Sequence, residues 1–349
     1  MKKLIPTVSL LTLIMLPVAV KAQEAPPLMD QVPAEIKRQN ITDSKIITLN
    51  YENDMIGGGE DQYYTNGVRA SLLDLNAGVP DALYKVADFI PLVDLNDETG
   101  ITYSVGQNLY TPSDIKIAGR QEGDRPWAAF LYGSAGLTTI SDDHIDEVEM
   151  TLGMVGPAAL GEQTQKFIHE HVSDSPTPKG WSHQLKNEPG LILSAQRRWP
   201  KLWETDVDGL SISAGPYAGA TLGNVYTYGN GGFTVQISPK GSEWQGMPVR
   251  VRPAMPGSGF FSLPEDGLDW SIFAGVEGRA VGRNIFLDGN TFTDSQSVDK
   301  KFIVGDANAG IATTIGRVRL SYSIVWRSKE FDGQEDDTIF GVANLGIRY

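Results

Sequence analysis

The chain has 349 residues, 41% of them hydrophobic, with a formal net charge of −14 and no cysteine. The acidic balance and the lack of any basic patch argue against a nucleic-acid partner, and the absence of cysteine excludes a disulfide framework and thiol chemistry. A soluble chain of this length would often divide into two domains, so the deciding question is where the hydrophobic residues fall.

The first segment reads as an export signal. Lys2 and Lys3 precede an apolar run from Leu4 to Val20, and Val20-Lys21-Ala22 brings the small residues that signal peptidase recognises. Residues 1–22 are therefore expected to be a cleaved signal peptide. The run is short for a membrane anchor, and a Pro-rich acidic stretch follows it. Cleavage removes Lys2, Lys3 and Lys21 and takes the charge from −14 to −17. Residues 23–44 read as a loosely ordered N-terminal leader.

Beyond that leader no apolar stretch is long enough for a membrane helix, and the hydrophobic residues alternate instead. Ile47, Leu49 and Tyr51 oppose Thr48, Asn50 and Glu52. Further on, Trp270, Ile272, Ala274 and Val276 oppose Asp269, Ser271, Glu277 and Arg279, and Val318 to Trp326 repeats the pattern against Arg319, Ser321 and Ser323. Period two means strands with one apolar face. Twelve are predicted: 45–54, 64–75, 100–109, 127–138, 145–155, 189–199, 208–222, 226–238, 268–280, 300–313, 315–326 and 337–349. Segments 76–99, 110–126 and 239–267, rich in Pro, Gly and Asp, read as loops.

A soluble sandwich would turn the apolar faces inward, and a membrane barrel turns them out to lipid. Three features favour the barrel. The strands run to about ten residues, against about five or six in soluble sheets. Tyr51, Trp127, Trp270 and Trp326 sit near strand ends, as interfacial aromatics do. The chain also stops within a strand that ends on Tyr349, which resembles the assembly signal of bacterial outer-membrane barrels and implies the barrel-assembly machinery as a partner. The expected fold is all-β: an antiparallel transmembrane β-barrel of about twelve strands over residues 45–349, in the outer membrane of a Gram-negative cell among its lipids.

Residues 158–172 break the strand rhythm. They hold no proline, carry the helix formers Glu162, Gln163, Gln165 and Lys166, and follow Pro157, which suits a first turn. Gln165 and His169 then share one helical face. So polar a helix of about four turns cannot span a bilayer. It can lie inside the barrel, across its mouth, or as a solvated loop helix. Familiar nucleophile-elbow, phosphate-loop and zinc-helix motifs are absent, and His144 stands in an acidic loop.

Several ordered runs carry a family resemblance. Glu52-Asn53-Asp54, then Asp61-x-Tyr63-Tyr64-Thr65-Asn66-Gly67, resembles the opening hairpin of the outer-membrane lipid A 3-O-deacylase family. The run from Gly106 to Asp114 (GQNLYTPSD) is similar to the family's third strand and following loop, and Asp124-Arg125-Pro126-Trp127 with Leu131-Tyr132 to the entry of its fourth. Gly153-x-Val155-Gly156-Pro157, Gln165-x-x-x-His169 and Trp181-x-x-Gln184-Leu185-x-Asn187-Glu188 resemble its helical insertion. The signature is dense in residues 52–188.

The resemblance implies an active site between the inner barrel wall and the inserted helix. It also implies calcium-dependent hydrolysis of the 3-position ester of lipid A in lipopolysaccharide, with release of an acyloxyacyl chain. His169 would be the general base, Asp54 helped by Asn53 would hold Ca2+, and Thr65 and Gln165 would orient substrate or water. Strand phase agrees, since Asp54 continues Thr48, Asn50 and Glu52, while Thr65 shares the phase of Arg69 and Ser71. An imidazole, titrating near about 6.5 as a residue type, suits base catalysis at neutral pH. The family's substrate-contacting Lys falls on Ile117, which leaves the adjacent Lys116, or Arg120 or Arg125, as substrate-binding candidates; Arg125 can equally pair with Asp124. A phospholipase, or a non-enzymatic channel with the helix as plug, are the rival readings.

Overall fold

Among the described residues thirteen strands form, twelve of them where the alternation places them. The computed structural model describes residues 45–58, 62–80, 95–96, 99–171, 175–242, 250–251, 259–264 and 267–349, so the expected signal peptide and leader lie outside the described residues. In chain order the strands are β1 (Lys45–Asn53), β2 (Tyr63–Asp74), β3 (Thr99–Thr111), β4 (Ala128–Ile140), β5 (Ile145–Val155), β6 (Glu188–Arg198) and β7 (Trp203–Val207). They continue with β8 (Leu210–Gly223), β9 (Tyr226–Pro239), β10 (Leu268–Asn284), β11 (Ile303–Ile315), β12 (Val318–Arg327) and β13 (Thr338–Arg348).

Sequence neighbours pair antiparallel except β6 and β7, β1 pairs with β13, and β6 pairs with β8, which closes the ring. All twelve predicted strands are present. The unpredicted thirteenth, β7, is a short extension of β6. The second half of β8 pairs with β6 (Arg198 opposite Tyr217) and its first half with β7 (Trp203 opposite Ala214). Between them stands Pro200, which has no N–H to give a ladder.

Burial is inverted relative to a water-soluble protein. Leu49 is 46% exposed, Val105 63%, Leu222 66% and Leu320 53%, whereas Arg69, Glu149, Glu277, Arg279, Asp306 and Arg327 are buried inside the ring. A charge enters a low-dielectric interior only with its counter-charge and hydrogen bonds supplied. Arg69 pairs with Glu149, and Asp306 receives both Arg327 (3.0 and 3.0 Å) and Arg279 (2.8 Å). Cross-wall hydroxyls complete the polar lining, as between Ser71 and Ser104 (3.0 Å).

Part of the predicted loop 239–267 turns into the lumen. Val251 and Phe261 are fully buried. Val251 donates its N–H to Glu52 (2.9 Å) and accepts from the Tyr132 hydroxyl (3.0 Å), while Arg250 binds Glu52 (3.0 Å) and Arg348 reaches the Phe261 carbonyl (3.0 Å). Phe260 and Phe261 pack with Ile46, Leu73, Leu75, Ile140 and Ile145. These residues fill the barrel from the end opposite the β1–β2 hairpin.

Trp127 does not sit at the membrane interface as its position suggested. It is 1% exposed and packs at 5.1 Å against Trp181. The predicted helix forms as α1 (Gly161–His171), after a 3-10 turn over Pro157–Ala159. A second, one-turn helix, α2 (Ile285–Asp288), follows β10 and is capped by Asn284.

Candidate active site

The sequence phase places Asp54 and Thr65 on the lumen side; the structure moves the site to the other face. On β1 the polar residues Thr48, Asn50 and Glu52 are buried inward, and Ile47, Leu49 and Tyr51 point outward; Asn53 continues the outward set. On β2 the register with β3 slips between Tyr64 and Asn66. This bulge accommodates one extra residue and reverses the phase. Tyr64 stays inside, its hydroxyl accepting from Asn108 (3.1 Å). Thr65 turns outward, its hydroxyl 2.7 Å from that of Thr111, which lies two residues beyond the outward-facing Leu109. The candidate site therefore occupies the lipid-facing side of the wall, not the lumen.

Backbone contacts hold the hairpin. The Asn53 amide donates to the Thr65 carbonyl (2.8 Å), and its oxygen accepts from the Met55 N–H (2.9 Å). The Asp54 carboxylate accepts from the N–H groups of Met55 (2.9 Å) and Gln62 (2.6 Å). The loop then lies across β13: a Cβ on Gly57 would collide with the backbone of Phe340 and Gly341, so only glycine permits the approach. The Tyr322 hydroxyl binds the Ile56 carbonyl (2.6 Å). Below it an open apolar groove of about 420 Å³ runs between Tyr51 and Tyr322 over Ala343.

The helix roofs this face. Its buried stripe is Gly161, Gln165 and His169, one residue per turn. A Cβ on Gly161 would stand 2.5 Å from Ala129 Cβ and 2.6 Å from the Trp181 ring, so α1 starts in direct contact with the outer face of β4. Each four residues advance a helix by about 6 Å, and neighbouring strands lie about 4.8 Å apart, so α1 crosses from β4 over β3 toward β2 and β1. The chain beyond it meets the hairpin at Ser175 and Met55 (3.2 Å). His169 binds the neighbouring Pro176 carbonyl, so the C-terminal end of α1 is tied through this segment to the β1–β2 hairpin.

Both helix side chains are oriented. Trp181 donates its indole N–H to the Gln165 oxygen (2.7 Å), which fixes the amide's direction. His169 Nδ1 lies 2.7 Å from the Pro176 carbonyl. A carbonyl only accepts, so Nδ1 carries the proton and a neutral ring holds its lone pair at Nε2. Gln165 is 1% exposed, His169 8%, Asn53 6%, Asp54 1% and Thr65 3%, so the cluster is shielded from bulk water.

The other two predicted residues lie on separate elements. Lys116 is exposed on the β3–β4 loop, its N–H bonded to Asp114. Arg125 is fully buried, 3.4 Å from Glu330 and with its guanidinium 4.9 Å above the ring of Tyr110, a lumen-facing residue. It does not form an ion pair with Asp124, whose carboxylate binds Ser113 (2.8 and 2.7 Å). Three positioning groups escaped sequence reasoning: Trp181, Thr111 and the Pro176 carbonyl. The first two lie inside recognisable motifs, but a carbonyl leaves no side-chain signal.

Among the described residues no group of three or more His, Cys, Asp or Glu is arranged to hold a metal ion. What the hairpin and β3 offer a cation is oxygen: the Asp54 carboxylate, the Asn53 amide and the hydroxyls of Thr65 and Thr111, a donor set that suits a hard ion whose shell is completed by substrate or water.

The model of a family described as outer membrane protein LpxR matches residues 7–349. The fold is similar to that of LpxR from Salmonella typhimurium, at 21% identity and a TM-score of 0.69, covering 86% of this chain and 99% of that one. The β domain of the Bordetella autotransporter BrkA is more distant, at 10% identity and a TM-score of 0.40, covering 88% and 98%. No curated protein sequence matches the chain. With a twelve-stave barrel in hand and the family model extending over nearly its whole length, the chain belongs to the LpxR family of outer-membrane proteins.

Proposed function

We propose that the protein hydrolyses the 3-O-linked acyloxyacyl ester of lipid A in the outer membrane, using His169 as general base and calcium as cofactor. The observation that carries this reading is that α1, with Gln165 and His169 in its buried stripe, starts on the outer face of β4 and is followed by a segment that touches the β1–β2 hairpin at Met55, on the side of the wall to which Asn53 and Thr65 turn. An ester held in a bilayer reaches that face without entering the barrel.

His169 Nε2 takes a proton from water as the water oxygen attacks the ester carbonyl, and returns it to the departing sugar alkoxide. Base catalysis of this kind contributes about 10²- to 10⁴-fold. Asp54 and Asn53 would hold the calcium ion, with Thr65 beside them. When bound, the ion supplies a positive charge that polarises the carbonyl. Gln165, aligned by Trp181, positions water or substrate. Lys116, exposed on the β3–β4 loop along with Arg120, supplies a cation for a lipid phosphate. The filled lumen, with its Arg250–Glu52 and Arg69–Glu149 pairs, speaks against a passive channel.

Refolded protein incubated with lipid A and, separately, with phosphatidylethanolamine, in calcium or chelator, tests the reading by mass spectrometry. Release of the 3-O-linked chain from lipid A, lost with chelator and in His169→Ala, is expected. Turnover of the phospholipid alone would replace the reading with a phospholipase.

A further inference from the structure

We infer that Asn66 is a further substrate-contacting residue, whose side-chain amide donates a hydrogen bond to the ester carbonyl oxygen as it becomes an oxyanion. The inference rests on the deacylase reading and adds to it a donor supplied by the protein itself.

Asn66 is 2% exposed, yet neither its Oδ1 nor its Nδ2 has a hydrogen-bond partner among the described residues. A buried amide left in that state costs stability, and a folded protein keeps one where something else needs it. Thr48, Asn50 and Asn108, each with an unpartnered oxygen, face the polar lumen, where ordered water can satisfy them. Asn66 follows the β2 bulge and stands opposite Asn53 on one side and Leu109 on the other, in the outward row that α1 roofs.

The neighbouring amides are already engaged. Asn53 spans the hairpin from the Thr65 carbonyl to the Met55 N–H, and Gln165 is held by Trp181. Asn66 sits next to Thr65 with an unused N–H pair. When the water oxygen bonds to the ester carbon, the carbonyl π electrons move onto oxygen and the water proton passes to His169. The oxyanion then accepts the Asn66 N–H. Collapse restores the carbonyl, breaks the bond to the sugar oxygen and returns the proton to that oxygen. A preorganised donor aimed at developing charge in a water-poor site is worth about 10²- to 10³-fold in rate.

The test compares wild type, Asn66→Asp and Asn66→Leu in lipid A hydrolysis, with urea unfolding followed in parallel. Asp keeps the shape and removes the donor, so kcat should fall about 10²- to 10³-fold with KM changed less than about threefold and the calcium requirement intact. Asn66→Leu should lose kcat similarly yet unfold at an equal or higher urea concentration. Retained kcat in Asn66→Asp, above all with a lowered calcium requirement, would overturn the donor role in favour of a metal ligand. Early unfolding of Asn66→Leu would overturn it in favour of a structural one. Should wild type leave lipid A intact, the deacylase reading falls separately. Binding of a phosphonate analogue of the ester then decides: weaker binding by Asn66→Asp supports the donor, and equal binding overturns it.

Discussion

Two buried polar regions lie back to back on the β1–β2 wall, and they are built on different rules. Inside, Glu52 receives Arg250 and the Val251 N–H, and Arg69 sits against Glu149 with Ser71 and Ser104 around it, so charge meets charge. Outside, one residue further along β1, Asn53 and Asp54 are held mainly by backbone N–H groups and a carbonyl, and Asn66 is held by nothing among the described residues. The charges of the inner cluster are paired, as a stabilising device requires. The outer one carries a single carboxylate among amides and hydroxyls, and its Asn66 amide has no partner among the described residues.

That contrast can be broken by exchanging the consequences of mutation between the two faces. The largest effect is expected from His169→Ala: hydrolysis should drop about 10²- to 10⁴-fold, with unchanged heat-shifted gel mobility showing an intact barrel. Arg69→Leu should do the reverse. It leaves the Glu149 carboxylate buried without its cation, at a cost of about 3–5 kcal/mol in urea unfolding from vesicles, while turnover per folded molecule stays near wild type. If Arg69→Leu abolished turnover without loss of stability, the division between the faces would be wrong.

Gly161→Val sharpens the comparison on the outer side alone. Its side chain meets Ala129 and Trp181, lifts α1 and displaces His169, and a shift of about 1 Å should lower the rate on the order of 10²-fold with little change in unfolding. Lys116→Ala, on an exposed loop, should change hydrolysis by no more than about threefold, visible as KM measured with phosphorylated against dephosphorylated lipid A. Arg125→Leu should leave that ratio unaltered, because Arg125 lies on the lumen side with Glu330.

Most of the barrel was legible before any coordinates. Period-two alternation is a local property, so Ile47, Leu49 and Tyr51 against Thr48, Asn50 and Glu52 announces a strand and its two faces without tertiary knowledge. The closing strand and the helix carrying Gln165 and His169 were visible for the same reason. β7 was not, because its five residues are too few to show a period and Pro200 hides that it prolongs β6.

Sequence by itself determined the strands and their lipid-facing sides, because both depend on near neighbours in the chain. Tertiary structure decided which face of the wall the candidate site occupies. A bulge that reverses Thr65, a helix seated through Gly161 on the outside of β4, and a loop returning into the lumen with Val251 and Phe261 are all set by contacts between segments far apart in sequence. One inserted residue flips a strand's phase, and no alternation pattern records on which side of a wall a distant helix comes to rest.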